Sequence, residues 1–103
     1  MGLNILSYHF DGPFDVDAIE IREKRCGVYL IVDQAPEGPY ILDVGEVSEI
    51  EDRLVYHLRR NCWERYRRHQ LVVYLAFTTG QSREESKEVV DSIKLTFDPP
   101  CRE

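Results

Sequence analysis

The stretch CGVYLIVDQAPEGPYILDVG, residues 26–45, decides the fold. It holds two runs rich in β-branched and aromatic residues, 26–34 and 40–45, separated by the loop APEGP at 35–39. So short a connection predicts an antiparallel hairpin over residues 27–45. Side chains alternate along a strand, so Val28, Leu30 and Val32 share one face while Tyr29, Ile31 and Asp33 share the other. The second run contains an anomaly, Asp43, set between Leu42 and Val44. Alternation points it away from both neighbours, onto the face that Tyr29 uses if the hairpin register allows. A carboxylate among apolar residues needs a partner, because burying it alone is costly. The Tyr29 phenol, the Arg53 guanidinium, a metal ion, or a plain salt bridge at the strand end would each serve.

Downstream, Ser48-x-x-Glu51 is a capping box that opens a helix. Val47, Ile50, Leu54 and Leu58 form its apolar stripe, and Arg53, His57 and Arg60 run down an adjacent stripe at i, i+4 and i+7. Residues 61–69 read as loop or broken helix. Residues 70–78, QLVVYLAFT, are continuously apolar and predict a central strand. A second capping box, Ser82-x-x-Glu85, opens a helix through Phe97 that buries Val89, Val90, Ile93 and Phe97 and stops at Pro99-Pro100. Upstream, residues 5–10 form an edge strand ended by the turn residues Asp11-Gly12-Pro13, and residues 14–25 a short helical turn followed by loop. The order (β)-β-β-α-β-α predicts an α+β domain: a small, mostly antiparallel sheet of three or four strands with helices packed on it.

With 103 residues the chain fits one domain, its core in 26–103 and an N-terminal extension in 1–25. It has no apolar run long enough to span a bilayer, and its first residues lack the pattern of a secretory signal. Cys26, Cys62 and Cys101 are odd in number and widely spaced, which predicts three reduced thiols in a cytoplasmic protein. They also lack the close pairing of a zinc site. The net charge of −6 is unevenly spread: residues 53–69 carry six arginines (Arg53, Arg59, Arg60, Arg65, Arg67, Arg68) against Glu64 alone, a local +5 that leaves −11 elsewhere. Such a segment is either a phosphate-facing surface or a solvated face balanced by acids such as Glu49, Glu51 and Asp52. Tyr56, Trp63 and Tyr66 lie in or near it; Trp63, beside Cys62, reads as a packed anchor.

The paired strands, followed by a helix bearing an arginine and then a histidine four residues on, resemble the GIY-YIG endonuclease domain. Gly27-Val28-Tyr29 stands at the first family triplet, Asp43-Val44-Gly45 at the second, and Arg53 and His57 match the helix pair. The resemblance covers residues 26–103 and implies hydrolysis of a DNA phosphodiester with one divalent cation, Mg²⁺ or Mn²⁺. By that likeness Tyr29 accepts the proton of the attacking water, Arg53 stabilises charge on the phosphate, His57 orients a phosphate or relays a proton, and a carboxylate holds the metal. Two departures stand out. Asp43 replaces the tyrosine of the second triplet, and the metal-binding glutamate falls on Val90 or Asp91, of which only Asp91 can ligate. Two functions therefore remain open: a metal-dependent endonuclease built on Tyr29, Asp43, Arg53, His57 and Asp91, or a catalytically degenerate module. The module would bind nucleic acid through Arg59, Arg60, Arg65, Arg67 and Arg68, or a protein partner.

Overall fold

Seven elements occupy the residues that the computed structural model describes, 2–18, 27–46, 60–77 and 83–101. They are β1 (Gly2–Ile5), β2 (Tyr8–Asp15), β3 (Gly27–Ala35), β4 (Gly38–Glu46), α1 (Arg60–Tyr66), β5 (Gln70–Phe77) and α2 (Arg83–Phe97). The strands form one antiparallel sheet in the order β1-β2-β5-β3-β4. This is the α+β class anticipated, with five strands rather than three or four. Within the N-terminal extension, β2 pairs directly with β5.

Each strand arises from local chemistry. The β3–β4 hairpin closes on Pro36 and Glu37, with Ala35 paired to Gly38, so the five-residue loop expected there shrinks to two. β5 is the middle strand, as its unbroken apolar run predicts: a strand covered on both faces has no polar side to show. Residues 5–10 are not one strand. Leu6 and Ser7 both have positive φ (50° and 71°) and turn the chain between β1 and β2, with Ile5 facing Tyr8. Positive φ at both central residues belongs to the tight hairpin turn whose twist suits the flanking strands. Asp11-Gly12-Pro13 does not end a strand either. The cis Gly12–Pro13 peptide lies inside β2, where the pairing with β5 slips by one residue between Asp11 and Phe14. Gly12 has φ of 146°, and a Cβ there would lie 2.9 Å from the Val73 carbonyl oxygen. Turn-forming residues are here used to build a bulge.

Around β3, β4 and β5 the sheet is packed on both faces. On one, Phe10, Val28, Leu30, Val32, Val44, Val72 and Tyr74 meet Val89, Val90 and Ile93 of α2. These three residues give α2 its i, i+1, i+4 contact edge, and each fully buried side chain contributes roughly 1.5–3 kcal/mol. Phe97, expected on that edge, is instead 43 % exposed at the helix end. Glu84 and Glu85 sit in the first turn, where carboxylates suit the positive end of the helix dipole. Asp98, with φ of 46°, donates its amide to the Lys94 carbonyl at 3.0 Å and ends the helix just before Pro99. On the other face Tyr29, Ile31, Leu42, Leu71, Val73 and Leu75 pack with Val16, with Trp63 of α1 and with Cys101. Within residues 61–69, read as loop or broken helix, residues 61–66 belong to the seven-residue helix α1, with Trp63 as its buried anchor.

The cysteines depart furthest from expectation. Cys62 on α1 and Cys101 beyond α2 are joined by a disulfide, 39 residues apart in sequence. The expectation of three reduced thiols fails because α2 and the tail carry Cys101 back across the sheet edge to α1, a proximity that spacing cannot reveal. The cytoplasmic assignment leaned on reduced thiols and loses that support. No helix among the described residues is long and apolar enough to cross a membrane. The capped helix anticipated from Ser48, with Arg53, His57 and Arg59, lies outside the described residues, as do Cys26 and Ser82.

Candidate functional site

Register explains the odd aspartate. Tyr29 faces Gly45 and Ile31 faces Asp43, but Val32 already faces Ile41, so Leu42 is an extra residue in β4. At such a bulge two residues oppose one and the alternation breaks. Leu42 therefore packs on the same side as Tyr29 and Ile31, rather than opposite to Asp43 as strict alternation requires. Asp43 has no solvent exposure, and its two oxygens accept hydrogen bonds at 2.8 Å, Oδ1 from the Val44 amide and Oδ2 from the Trp63 indole N–H. The carboxylate thus anchors α1 onto the sheet. The Leu42 carbonyl, on edge strand β4, accepts the Cys101 amide at 2.9 Å, so the chain beyond α2 covers part of that edge.

Tyr29 is 1 % exposed and lies flat over Gly45, where a Cβ would come within 2.6 Å of its Oη. The glycine of the second triplet is needed for that close approach. Tyr29 and Asp43 are therefore brought to one face of the hairpin, two pairs apart, but within the core. Asp91 is not brought to them. It is exposed on α2, which covers the opposite face of the sheet. Among the described residues no three His, Cys, Asp or Glu side chains converge as a cation site would require. Among the described residues Asp91 has no companion ligands for the Mg²⁺ or Mn²⁺ that the resemblance implies.

No family model, curated protein or solved structure matches the chain. The likeness to GIY-YIG domains thus stands on the residues alone.

The arginine segment divides in two. Arg60 is held at 2.7 Å by both Asp17 and Glu64, and Arg67 pairs with Glu64 at 3.3 Å and donates to the His69 carbonyl at 3.0 Å. Arg65 and Arg68 are exposed and make no ion pair among the described residues. Arg68 and His69 are set in place by Asp33, a buried acid of β3 on the strand face that Tyr29 and Ile31 share by alternation. Its oxygens accept the Arg68 amide at 3.2 Å and the His69 amide at 2.9 Å, and the His69 ring stands 3.6 Å away. A second acid in an otherwise apolar strand was the available signal, the same one that drew attention to Asp43.

Beside this corner lies an open hollow of about 680 Å³. β4 lines it with Tyr40, Ile41 and Leu42, α1 with Tyr66, α2 with Phe97, and the chain after α1 with Arg68 and His69. The three rings are 53 %, 43 % and 43 % exposed, respectively. Only Tyr66 stood out in the sequence, beside the arginines. Tyr40 and Phe97 join it solely because the hairpin and the end of α2 meet α1 at the sheet edge.

Proposed function

We propose that this chain is a GIY-YIG-like module that binds nucleic acid through its arginine segment and does not hydrolyse it through Tyr29 and Asp43. The observation that carries the choice between binding and hydrolysis is burial. A general base must come within hydrogen-bond reach of the attacking water. The Tyr29 phenol is sealed against Gly45 inside the core, and both Asp43 oxygens accept protein N–H groups. Binding asks less of the fold. It needs cations facing solvent, and Arg65 and Arg68 supply them on a chain otherwise strongly acidic.

Anisotropy of labelled DNA and RNA measured across salt concentrations tests the proposal. Each phosphate contacted should steepen the fall of log affinity with log salt by about 0.9 on duplex and about 0.7 on a single strand. Arg65→Ala and Arg68→Ala should each weaken binding and flatten that slope by about one contact. A salt-independent affinity, or no binding at low salt, removes nucleic acid as the partner. Nicking of supercoiled plasmid with Mg²⁺ or Mn²⁺ that disappears in Tyr29→Phe would restore the hydrolytic alternative.

A further inference from the structure

The hollow at the β4 edge has a composition that a duplex-binding surface does not need. Its volume of about 680 Å³ lies in the range of sites that enclose a small ligand. Three half-exposed rings, Tyr40, Tyr66 and Phe97, come to it from three separate elements. Aromatic side chains with an arginine that has no ion pair among the described residues suit a ligand that is planar at one end and anionic at the other. Arg68 supplies the cation. Arg60 and Arg67 are engaged with acids, whereas Arg68, held through its amide by Asp33, makes no ion pair among the described residues and lines the hollow. His69 lines the same hollow, fixed through its own amide. Two acids also line the hollow: Asp33, whose oxygens already accept the Arg68 and His69 amides, and Glu37, which accepts from the Tyr40 hydroxyl at 3.5 Å and disfavours a phosphate beside the hairpin turn. Charge and ring placement therefore orient one ligand: phosphate toward Arg68 and His69, ring toward Tyr40.

We propose that this hollow takes the base of an unpaired nucleotide, stacked among Tyr40, Tyr66 and Phe97, with its phosphate held by Arg68 and His69. The proposal rests on the nucleic-acid reading above and deepens it, since it makes the preferred partner a single strand or a flipped nucleotide rather than an intact duplex. A base inside a duplex is already stacked and cannot enter; an unpaired base gains the aromatic contact.

The test compares one labelled twelve-nucleotide strand with its blunt duplex at the same salt, using the full chain. The single strand should bind at least about tenfold tighter, and Tyr40→Ala and Tyr66→Ala should each lower its affinity about five- to hundredfold. Tyr66→Phe should keep it, and duplex affinity should stay as it was. Both tyrosines are half exposed, so truncation spares the core; unchanged Trp63 fluorescence checks this. Equal binding of strand and duplex, with both alanine variants silent, overturns the pocket while leaving the arginine surface standing. Binding of neither overturns both. Amide shifts of Tyr40, Ile41 and His69 on adding the strand support the site. The same shifts produced by a proline-rich peptide and not by the strand would overturn it in favour of a peptide groove.

Discussion

Breaking the Cys62–Cys101 disulfide should remove a large part of the stability of this protein. The bond closes a loop of 39 residues of sequence separation that includes β5 and α2. Chain-entropy loss for a loop of this length is about 13 cal/mol/K, or about 4 kcal/mol at 25 °C. A domain of this kind has roughly 5–15 kcal/mol in total. The folded state loses little in compensation: Cys101 stays buried and keeps its amide bond to Leu42. Nearly the whole effect therefore falls on the unfolded chain. Urea unfolding followed by Trp63 fluorescence, with and without a phosphine reductant, reads it directly. With a slope of about 1.3 kcal/mol per molar, near the low end for small domains, the midpoint should fall by about 3 M on reduction. The double variant Cys62→Ala, Cys101→Ala should unfold close to the reduced protein. Midpoints within about 0.5 M of each other would refute the entropy argument. Thiol titration in denaturant that finds three free thiols per chain, where one is expected, would refute the bond itself.

Asp43→Ala should cost about 1–3 kcal/mol, because it strands the Trp63 indole N–H in the core; Asp43→Asn, which can still accept, should cost less, as equilibrium unfolding will report. Ser7→Gly should raise stability by about 1 kcal/mol, seen as a higher thermal midpoint, since only glycine holds φ of 71° without a steric penalty. Burial raises the Tyr74 phenol above its ordinary value, and its hydroxyl donates to Gln34 at 3.2 Å. The folded state then retains that proton more firmly than the unfolded one. Its contribution is complete below pH of about 10 and lost as pH rises from there through the folded value, so Tyr74→Phe should show a shallower alkaline decline in urea midpoint than the parent.

Much of the frame was legible before any coordinates. The alternating apolar runs of β3 and β4, the unbroken run of β5 and the i, i+1, i+4 edge of α2 are local patterns, and local patterns report burial directly. Turn chemistry was less reliable. Leu6 and Ser7 carry no turn signal yet make a hairpin, because pairing between β1 and β2 holds them in a conformation they do not prefer. Asp11-Gly12-Pro13 carries a strong turn signal yet lies within β2, because β5 continues to pair on both sides of it.

The candidate site divides along the same line. Asp43 was visible as an anomaly, since a carboxylate in an apolar run demands a partner whatever the fold. Its partner, the Trp63 indole, lies 20 residues away and is chosen by how α1 packs, and the face it uses is set by a one-residue bulge at Leu42. Sequence alone determined most of the buried strand and helix positions and where positive charge gathers, because these follow from hydrophobicity, chain geometry and simple counting. Only the tertiary structure decided that Cys62 meets Cys101, that Asp91 stands across the sheet from Tyr29, and that Tyr40, Tyr66 and Phe97 line one hollow. Those contacts join residues tens of positions apart, and the energy that selects them belongs to the packed sheet as a whole.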